Sequence, residues 1–362
     1  MKAIQLHPNL ELQLVLGASA VLDRYGTVSK MIKKDGFKAI AEIYMLIEGE
    51  TPMTMAKSTG LGLIELSSVF FKCKPDIVVT VGDRFETMAT TLAAAYMNIP
   101  IAHTMGGEVT GTIDESIRHA ITKFSHIHFP ASKDAADRIY KLGEKLESIH
   151  LVGCPRIDLV HNIINENTID LNTIFDDGVG NYVNTNKTFL LVSQHPVTTE
   201  YGMGEEQITE TLEAVKKTGL PSIVLWPNAD AGSDDVSRGI RKWREKHLLK
   251  NMHFFKNLPV DIYIKLMDKT ACLIGNSSSG IREGAFIGTP VVNIGSRQDM
   301  RERGKNVIDV EYNVNSIKKA IDLQISRKKY DSEPIYGDGK AGSKIAEILS
   351  TCSWDIQKRI TY

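Results

Sequence analysis

The sequence predicts an α/β protein made of two doubly wound domains, and three observations carry that prediction. Strand-sized runs such as DIVVTVG (76–82) and FLLVSQ (189–194) are apolar throughout, with no polar alternation. Strands of that kind belong to parallel sheets covered by helices on both faces. Stretches with helical patterning, FETMATTLAAAYMN (85–98) and EEQITETLEAVKKTG (205–219), separate these runs, which is β–α alternation. A polar, Asn-rich stretch over 165–187 divides the alternation into two sets.

Taken in order, LELQLVLG (10–17), DIVVTVG, IPIAHT (99–104) and HIHFPA (126–131) are the expected strands of the first domain. FLLVSQ, PSIVLW (221–226), ACLIG (271–275) and PVVNIG (290–295) are those of the second. The expected domains are residues 1–168 and 169–335. A last segment, 336–362, has a helical AGSKIAEILS (341–350) after the turn-like YGDGK, and is expected to return to the first domain.

Composition narrows the function. The 362 residues carry a formal net charge of −1, with 42% hydrophobic and 24% charged residues. A near-neutral chain of that make-up is globular and lacks the basic surface that nucleic acid or anionic membranes require. Cys73, Cys154, Cys272 and Cys352 show neither a CxxC pair nor metal-ligand spacing, so reduced thiols, a cytoplasmic location and no metal are expected. The apolar runs are too short to span a bilayer. No GxGxxG follows a strand, which argues against a nicotinamide cofactor; no cofactor is expected.

Ligands of open α/β sheets bind beyond the carboxyl ends of strands, and four such places carry chemistry. In IVVTVGDRFE (77–86) a strand delivers Asp83 and Arg84 to a helix start. Asp83 there reads as a helix cap or a ligand contact. Arg84 opposes the helix dipole, a conflict that a bound anion would relieve. In HTMGGEVTGTIDESIRHA (103–120) the Gly106–Gly107 pair would let backbone approach a ligand, and Glu108 and Asp114 follow. An Asp114–Arg118 pair at i,i+4 is the plainer reading of the helix that begins there. His126 and His128 read as structural.

The other two places lie in the second domain. In LLVSQHPVTTE (190–200), Pro196 holds His195 in an extended segment, and LWPNADAGSDD (225–235) offers Asn228 and Asp230. In LIGNSSSGIREGAFIGTP (273–290), Ser277, Ser278 and Ser279 precede a helix expected near Gly280. Free N–H groups, a positive dipole end and hydroxyls make a diphosphate seat that needs no metal. Glu283 lies one turn on, within reach of a ribose, and Arg297 adds positive charge.

GDRFE, HTMGGEVTGTIDESIRHA, QHPVTT, PNADAG and GNSSSGIREGAFIGTPVVNIGSRQ together resemble the hydrolysing UDP-N-acetylglucosamine 2-epimerases of sialic- and legionaminic-acid pathways. The likeness runs from about residue 8 to 350. It implies two Rossmann-like domains in the glycosyltransferase-B arrangement, with a UDP sugar in the interdomain cleft, and a homodimer or homotetramer. By that resemblance Asp83 and Asp114 are catalytic carboxylates, and His195 is a catalytic or phosphate-contacting histidine. Arg84, Asn228, Ser277, Ser278, Glu283 and Arg297 fall on UDP or sugar contacts.

Two departures follow. Met105 stands where many members have a Glu, so Glu108 or Asp114 carries more of the catalysis, or the substrate is a 6-deoxy sugar such as UDP-N,N′-diacetylbacillosamine. Members also open with a strand and a TGxRAxYG-type loop, whereas HPNLELQLVLGAS here corresponds to their second strand. The expectation is therefore a chain lacking its first strand–helix unit, one that folds poorly or is inactive. A non-hydrolysing 2-epimerase, a glycosyltransferase of the same fold and a non-catalytic UDP-sugar-binding chain are the rival readings.

Overall fold

The computed structural model describes residues 1–22, 28–48, 52–109, 113–166, 170–227, 232–247 and 251–361. The chain divides into two compact units. One comprises Met1–Glu108, Ile113–Cys154 and Lys340–Tyr362; the other comprises Val109–Thr112 and Pro155–Gly339.

The first unit contains α1 (Lys2–Leu6), β1 (Leu14–Gly17), α2 (Val28–Lys34), β2 (Ala39–Ile43), α3 (Pro52–Cys73) and β3 (Val78–Val81). It continues through α4 (Phe85–Tyr96), β4 (Ile101–Thr104), α5 (Ile113–Phe124), β5 (Ile127–Phe129) and α6 (Lys133–Lys141). Its strands form two parallel groups, β1–β2 and β3–β4–β5. Among the described residues no strand joins β1 to β3. Leu66, Phe70, Ala89, Ala93 and Ile101 nevertheless form one buried cluster with Ile43 and Met45, so α3 and α4 cover both groups.

The second unit contains α7 (Pro155–Asn165), β6 (Val179–Gly180), β7 (Leu190–Ser193), α8 (Gly204–Thr218), β8 (Ser222–Leu225), α9 (Ser233–Lys246) and β9 (Met252–Phe255). It continues with α10 (Val260–Lys269), β10 (Cys272–Gly275), α11 (Ser278–Ile281), α12 (Glu283–Ile287), β11 (Val291–Ile294), β12 (Val307–Val310) and α13 (Val314–Arg327). Its sheet runs β12-β11-β10-β7-β8-β9-β6, parallel except where β6 meets β9. Along β7, Leu190 and Val192 enter one core while Phe189 and Leu191 enter the other. Alternate residues of a strand point to opposite faces, so a strand buried on both sides must be apolar throughout.

Two boundaries differ from the sequence reading. The units part at Cys154/Pro155, not at 168/169, because Val160 and Ile163 of α7 are buried with Phe189, Leu191 and Ile264 of the second unit. The helix expected near Gly280 begins at Ser278, breaks at Arg282 and resumes as α12.

The chain ends on α14 (Ala341–Thr351) and a tail that belongs to the first unit. Lys358 Nζ donates to Glu144 Oε2 (2.7 Å) and to the carbonyls of Lys123 (3.0 Å), Thr122 (3.3 Å) and Ser125 at the end of α5. Glu144 also receives Lys123 (2.5 Å) and His128 (3.1 Å). Burial alone would raise the Glu144 pKa, but these three donors outweigh it and hold the carboxyl down to about 2. A cation at the last carbonyls of a helix also suits its dipole. Lys358→Met should therefore cost about 1–3 kcal/mol, the usual penalty for unsatisfied buried acceptors. Urea unfolding would read that loss, and amide exchange would show α5's last turn less protected.

Candidate active site

Each unit gathers its own set of groups at the carboxyl ends of its parallel strands. In the first unit, β3 ends at Val81 and the chain turns through Gly82 and Asp83 into α4. Arg84 is the N-cap residue, 62% exposed, and its Nε donates to Glu86 Oε1 at 2.9 Å. That local carboxylate answers the dipole conflict noted above.

Arg118 organises this end of the unit. Its side chain is 2% exposed, its Nη2 donates to Asp83 Oδ2, and its Nη1 donates to the Glu108 carbonyl at 2.7 Å. The sequence reading paired Arg118 with Asp114 along the helix. The structure shows that it also reaches out of α5 to bind the loops after β3 and β4. Asp114 lies in the first turn of α5, and Glu108 is 6% exposed.

The Gly106–Gly107 pair has a packing reason that the sequence reading missed. A Cβ on Gly106 would lie 2.8 Å from His103 Nδ1, and one on Gly107 would lie 2.1 Å from the Ala135 carbonyl. Gly107 also has φ +76°, so a side chain there is barred twice over. Met105, just before the pair, is itself left-handed at φ +63°.

His103 fixes the loop from beneath. Its Nε2 lies 2.8 Å from the Gly82 carbonyl, which can only accept, so Nε2 carries the proton. Nδ1 is then free to accept from Thr122 Oγ1 at 3.3 Å. Burial lowers the pKa of His103 to about 4, against the smaller opposing effect of the Gly82 bond.

In the second unit the strand order reverses between β7 and β10. The chain proceeds from β7 to β8 and β9 on one side, and from β10 to β11 and β12 on the other. His195 follows β7, and Asn276 to Ser278 follow β10, so both flank this switch point. The two strands pair with Ser193 opposite Gly275. A Cβ on Gly275 would lie 2.2 Å from the Ser193 carbonyl, which accounts for the glycine.

Asn276 is fully buried and joins three segments. Its Oδ1 accepts the His195 N–H at 2.7 Å, and its Nδ2 donates to the His195 carbonyl at 2.9 Å. Its own carbonyl accepts Arg297 Nη1 at 3.2 Å and Gln298 Nε2 at 2.8 Å. Ser277 is the N-cap of α11, and its hydroxyl accepts the Ser279 N–H. Ser279 is buried and bonds Tyr263 Oη at 2.6 Å, whereas Ser277 and Ser278 stay half-exposed. Glu283 is buried in α12, where its Oε1 receives Arg156 Nε at 3.2 Å.

Within the first unit the structure thus brings Asp83 and Glu108 together through Arg118, with Asp114 on the same helix as that arginine. Within the second unit it brings His195 and Arg297 together through Asn276, beside Ser277 and Ser278. Asn228 and Asp230 lie outside the described residues. Sequence reasoning missed the linking roles of Arg118, Asn276, His103, Tyr263 and Arg156. A buried Arg following two carboxylates in one motif was the one available signal.

Comparison with known proteins decides the family. A family model described as UDP-N-acetylglucosamine 2-epimerase matches residues 2–350. The chain belongs to that family. It is 32% identical to the UDP-N,N′-diacetylbacillosamine 2-epimerase (hydrolyzing) of Legionella pneumophila over 97% of this chain and 91% of that protein. It is 28% identical to the UDP-N-acetylglucosamine 2-epimerase of Neisseria meningitidis serogroup B, over 98% and 92%. Among solved structures, the UDP-GlcNAc 2-epimerase from Neisseria meningitidis bound to UDP-GlcNAc superposes with a TM-score of 0.81. That match has 20% identity and covers 96% and 93% of the two chains, and it shows the shared fold. The two sequence alignments leave 9% and 8% of those relatives' own lengths unmatched. The separation of β1 from β3 stands as a feature of this chain's first unit.

Protonating His103 is expected to unfold this family member's first unit from the inside. Its folded pKa is about 4 against an ordinary 6.5, so its stabilising effect is whole above 6.5 and is lost as pH falls through 4. The full loss is on the order of 3 kcal/mol. His103→Gln should flatten the fall in urea midpoint between pH ~7.5 and ~5 relative to the unsubstituted chain. Equal slopes would show that His103 is not the responsible group.

Proposed function

We propose that the chain is a hydrolysing 2-epimerase that converts a UDP-2-acetamido sugar into UDP and the free, 2-epimeric sugar. UDP-N-acetylglucosamine giving N-acetylmannosamine is the simplest case. The observation that carries this reading is the switch-point arrangement in the second unit. His195, Arg297 and the serine-rich start of α11 all stand where nucleotides bind doubly wound sheets, and all suit a diphosphate.

The chemistry follows from the substrate. The proton on carbon 2 is not acidic, because no carbonyl neighbours it, and direct abstraction fails. Breaking the anomeric C–O bond sends its electron pair onto the diphosphate and leaves an oxocarbenium-like centre. A carboxylate can then take the carbon-2 proton, and the C–H pair becomes the double bond of a glycal. Water adds at carbon 1 while a second acid delivers a proton to the opposite face of carbon 2. Atoms balance as UDP sugar plus water giving UDP plus free sugar.

His195, Arg297 and the N–H groups near Ser277 and Ser278 suit the departing diphosphate, as fixed positive dipoles and charge. Arg84 adds a cation, and Glu283 suits a ribose. Asp83, Glu108 and Asp114 suit the proton transfers, since base and acid are separate tasks. Arg118 holds Asp83 in one orientation, a requirement for a general base. The free cysteines, two of them buried, fit the reducing cytoplasm, where this reaction would serve nonulosonic-acid synthesis.

A second reading of the same site has specific support. By the resemblance given above, Met105 stands where many members have a Glu, and the Legionella relative is named for UDP-N,N′-diacetylbacillosamine. A less polar neighbour suits that sugar's 6-methyl group, so its UDP form is the alternative substrate.

The test is incubation with each UDP sugar in D2O, followed by proton and phosphorus NMR. Free 2-epimer deuterated at carbon 2, together with UDP, is the expected product. A deuterated UDP sugar without free sugar would mean the non-hydrolysing reaction, and turnover only with an acceptor would mean a transferase. Asp83→Asn and Asp114→Asn should each lower kcat by about a thousandfold or more while UDP still binds, in line with loss of an acid–base group. Near-normal rates in either variant would remove that carboxylate from the mechanism.

A further inference from the structure

We propose that the side chain of Asn276 is the positioning residue for His195, acting as an artificial rung of the sheet. The inference rests on the reading above, in which His195 serves the departing diphosphate.

The paired registers of β7 and β10 end at Ser193 and Gly275. Beyond that point the backbones part, because the chain after β10 turns into α11 at Ser278. A backbone rung can no longer hold the segment after β7, yet His195 must be held if its imidazole is to act. The Asn276 carboxamide replaces the lost rung. It accepts from the His195 N–H and donates to the His195 carbonyl, at 2.7 and 2.9 Å. One planar group thus satisfies both polar atoms of one residue, as a neighbouring strand would. Pro196 restrains the other side of His195, so the Cα–Cβ direction of the histidine is fixed from both ends.

Side-chain chemistry makes the assignment specific. A carboxamide offers an N–H donor and a C=O acceptor side by side in one plane without needing a proton shift. Asp would keep the acceptor but set a buried carboxylate against the His195 carbonyl, and Ala would remove both bonds. Arg297 and Gln298 bond the main-chain carbonyl of Asn276, not its side chain. Substituting the side chain therefore leaves their contacts in place. A defect in Asn276 variants should pass chiefly through His195, the Tyr312 hydroxyl being the other group that the carboxamide meets.

A double-mutant cycle tests this with Asn276→Ala, His195→Ala and the combination. Asn276→Ala should lower kcat/KM on the order of 10- to 100-fold, the usual effect of a misplaced catalytic group. In the His195→Ala background the same change should cost no more than about twofold, since the two residues act as one unit. Equal losses in both backgrounds, or an unaltered rate, would overturn the proposal. Asn276→Asp should also be defective while showing the far-ultraviolet spectrum of the folded chain. An unfolded Asp variant would make the amide a structural requirement and would equally overturn the positioning role.

The two proposals fail separately. Absence of turnover and of UDP binding in the unsubstituted chain would sink the proposed function. Asn276 is then read directly from the His195 ring signals in a proton–nitrogen correlation spectrum, assigned with His195→Ala. Those signals should move in Asn276→Ala while those of His253 stay. Unmoved His195 signals would end the positioning proposal.

Discussion

The pairing of β7 with β10 is the constraint on which the second unit depends. Among the described parallel strands the chain runs outward from there, through β8 and β9 on one side and β11 and β12 on the other, so the loops after these two strands diverge. The strands approach so closely there that Gly275, at φ +131°, admits no side chain opposite the Ser193 carbonyl. Everything the unit offers to an anion follows from that junction. The serine N–H groups, His195 and Arg297 are all within two bonds' reach of Asn276, and the core beneath is apolar on both faces.

The first unit is organised by charge. Burying an arginine is unfavourable unless it is paired and hydrogen-bonded, and Arg118 is paired with Asp83 and donates to the Glu108 carbonyl. Such a pair adds little to stability compared with apolar residues of the same size. Its value lies in geometry, since one side chain fixes two loops that emerge from different strands. His103 repeats the pattern on a smaller scale, tying the Gly82 turn to Thr122 of α5. With Lys358 clamping the far end of α5, the helix that carries Asp114 and Arg118 is held at both ends.

What the sequence revealed and what it hid divide along physical lines. Strands β3, β4, β5, β7, β8, β10 and β11 were legible, because continuous apolar runs have few other uses, and the structure trims them by at most two residues at an end; β9, buried along its length, was missed. The half-exposed β12 and the β1–β2 group carried a weaker signal. The domain boundary was misread because α7 looks like any amphipathic helix, and only its partners Phe189 and Ile264 assign it to the second unit. The positions of Asp83, Glu108, His195 and the serines beyond strand ends were legible, since they stand where apolar patterning stops. Their holders were not. Arg118 and Asn276 act across 35 and 81 residues of sequence respectively, and no local pattern encodes such a contact. The glycine pair was noticed for ligand approach, and its packing against His103 and Ala135 was hidden.

Met105 stands where the surroundings dictate a left-handed backbone. A left-handed residue other than glycine costs about 1–2 kcal/mol, and such strain persists where the surroundings dictate the backbone. Here they do: the Met105 N–H bonds the Phe129 carbonyl at 3.0 Å, and the next two residues are locked by close packing. With the backbone fixed, the side chain at this position becomes the free variable. An acidic residue there adds a charge beside the carboxylates, and methionine adds a flexible apolar surface in its place. Asp83 is held by Arg118, and Asp114 lies in the first turn of α5. Under the proposed function, a backbone fixed at 105 with a variable side chain would let substrate preference shift by one substitution, with no change at His195, Asn276 or Arg297.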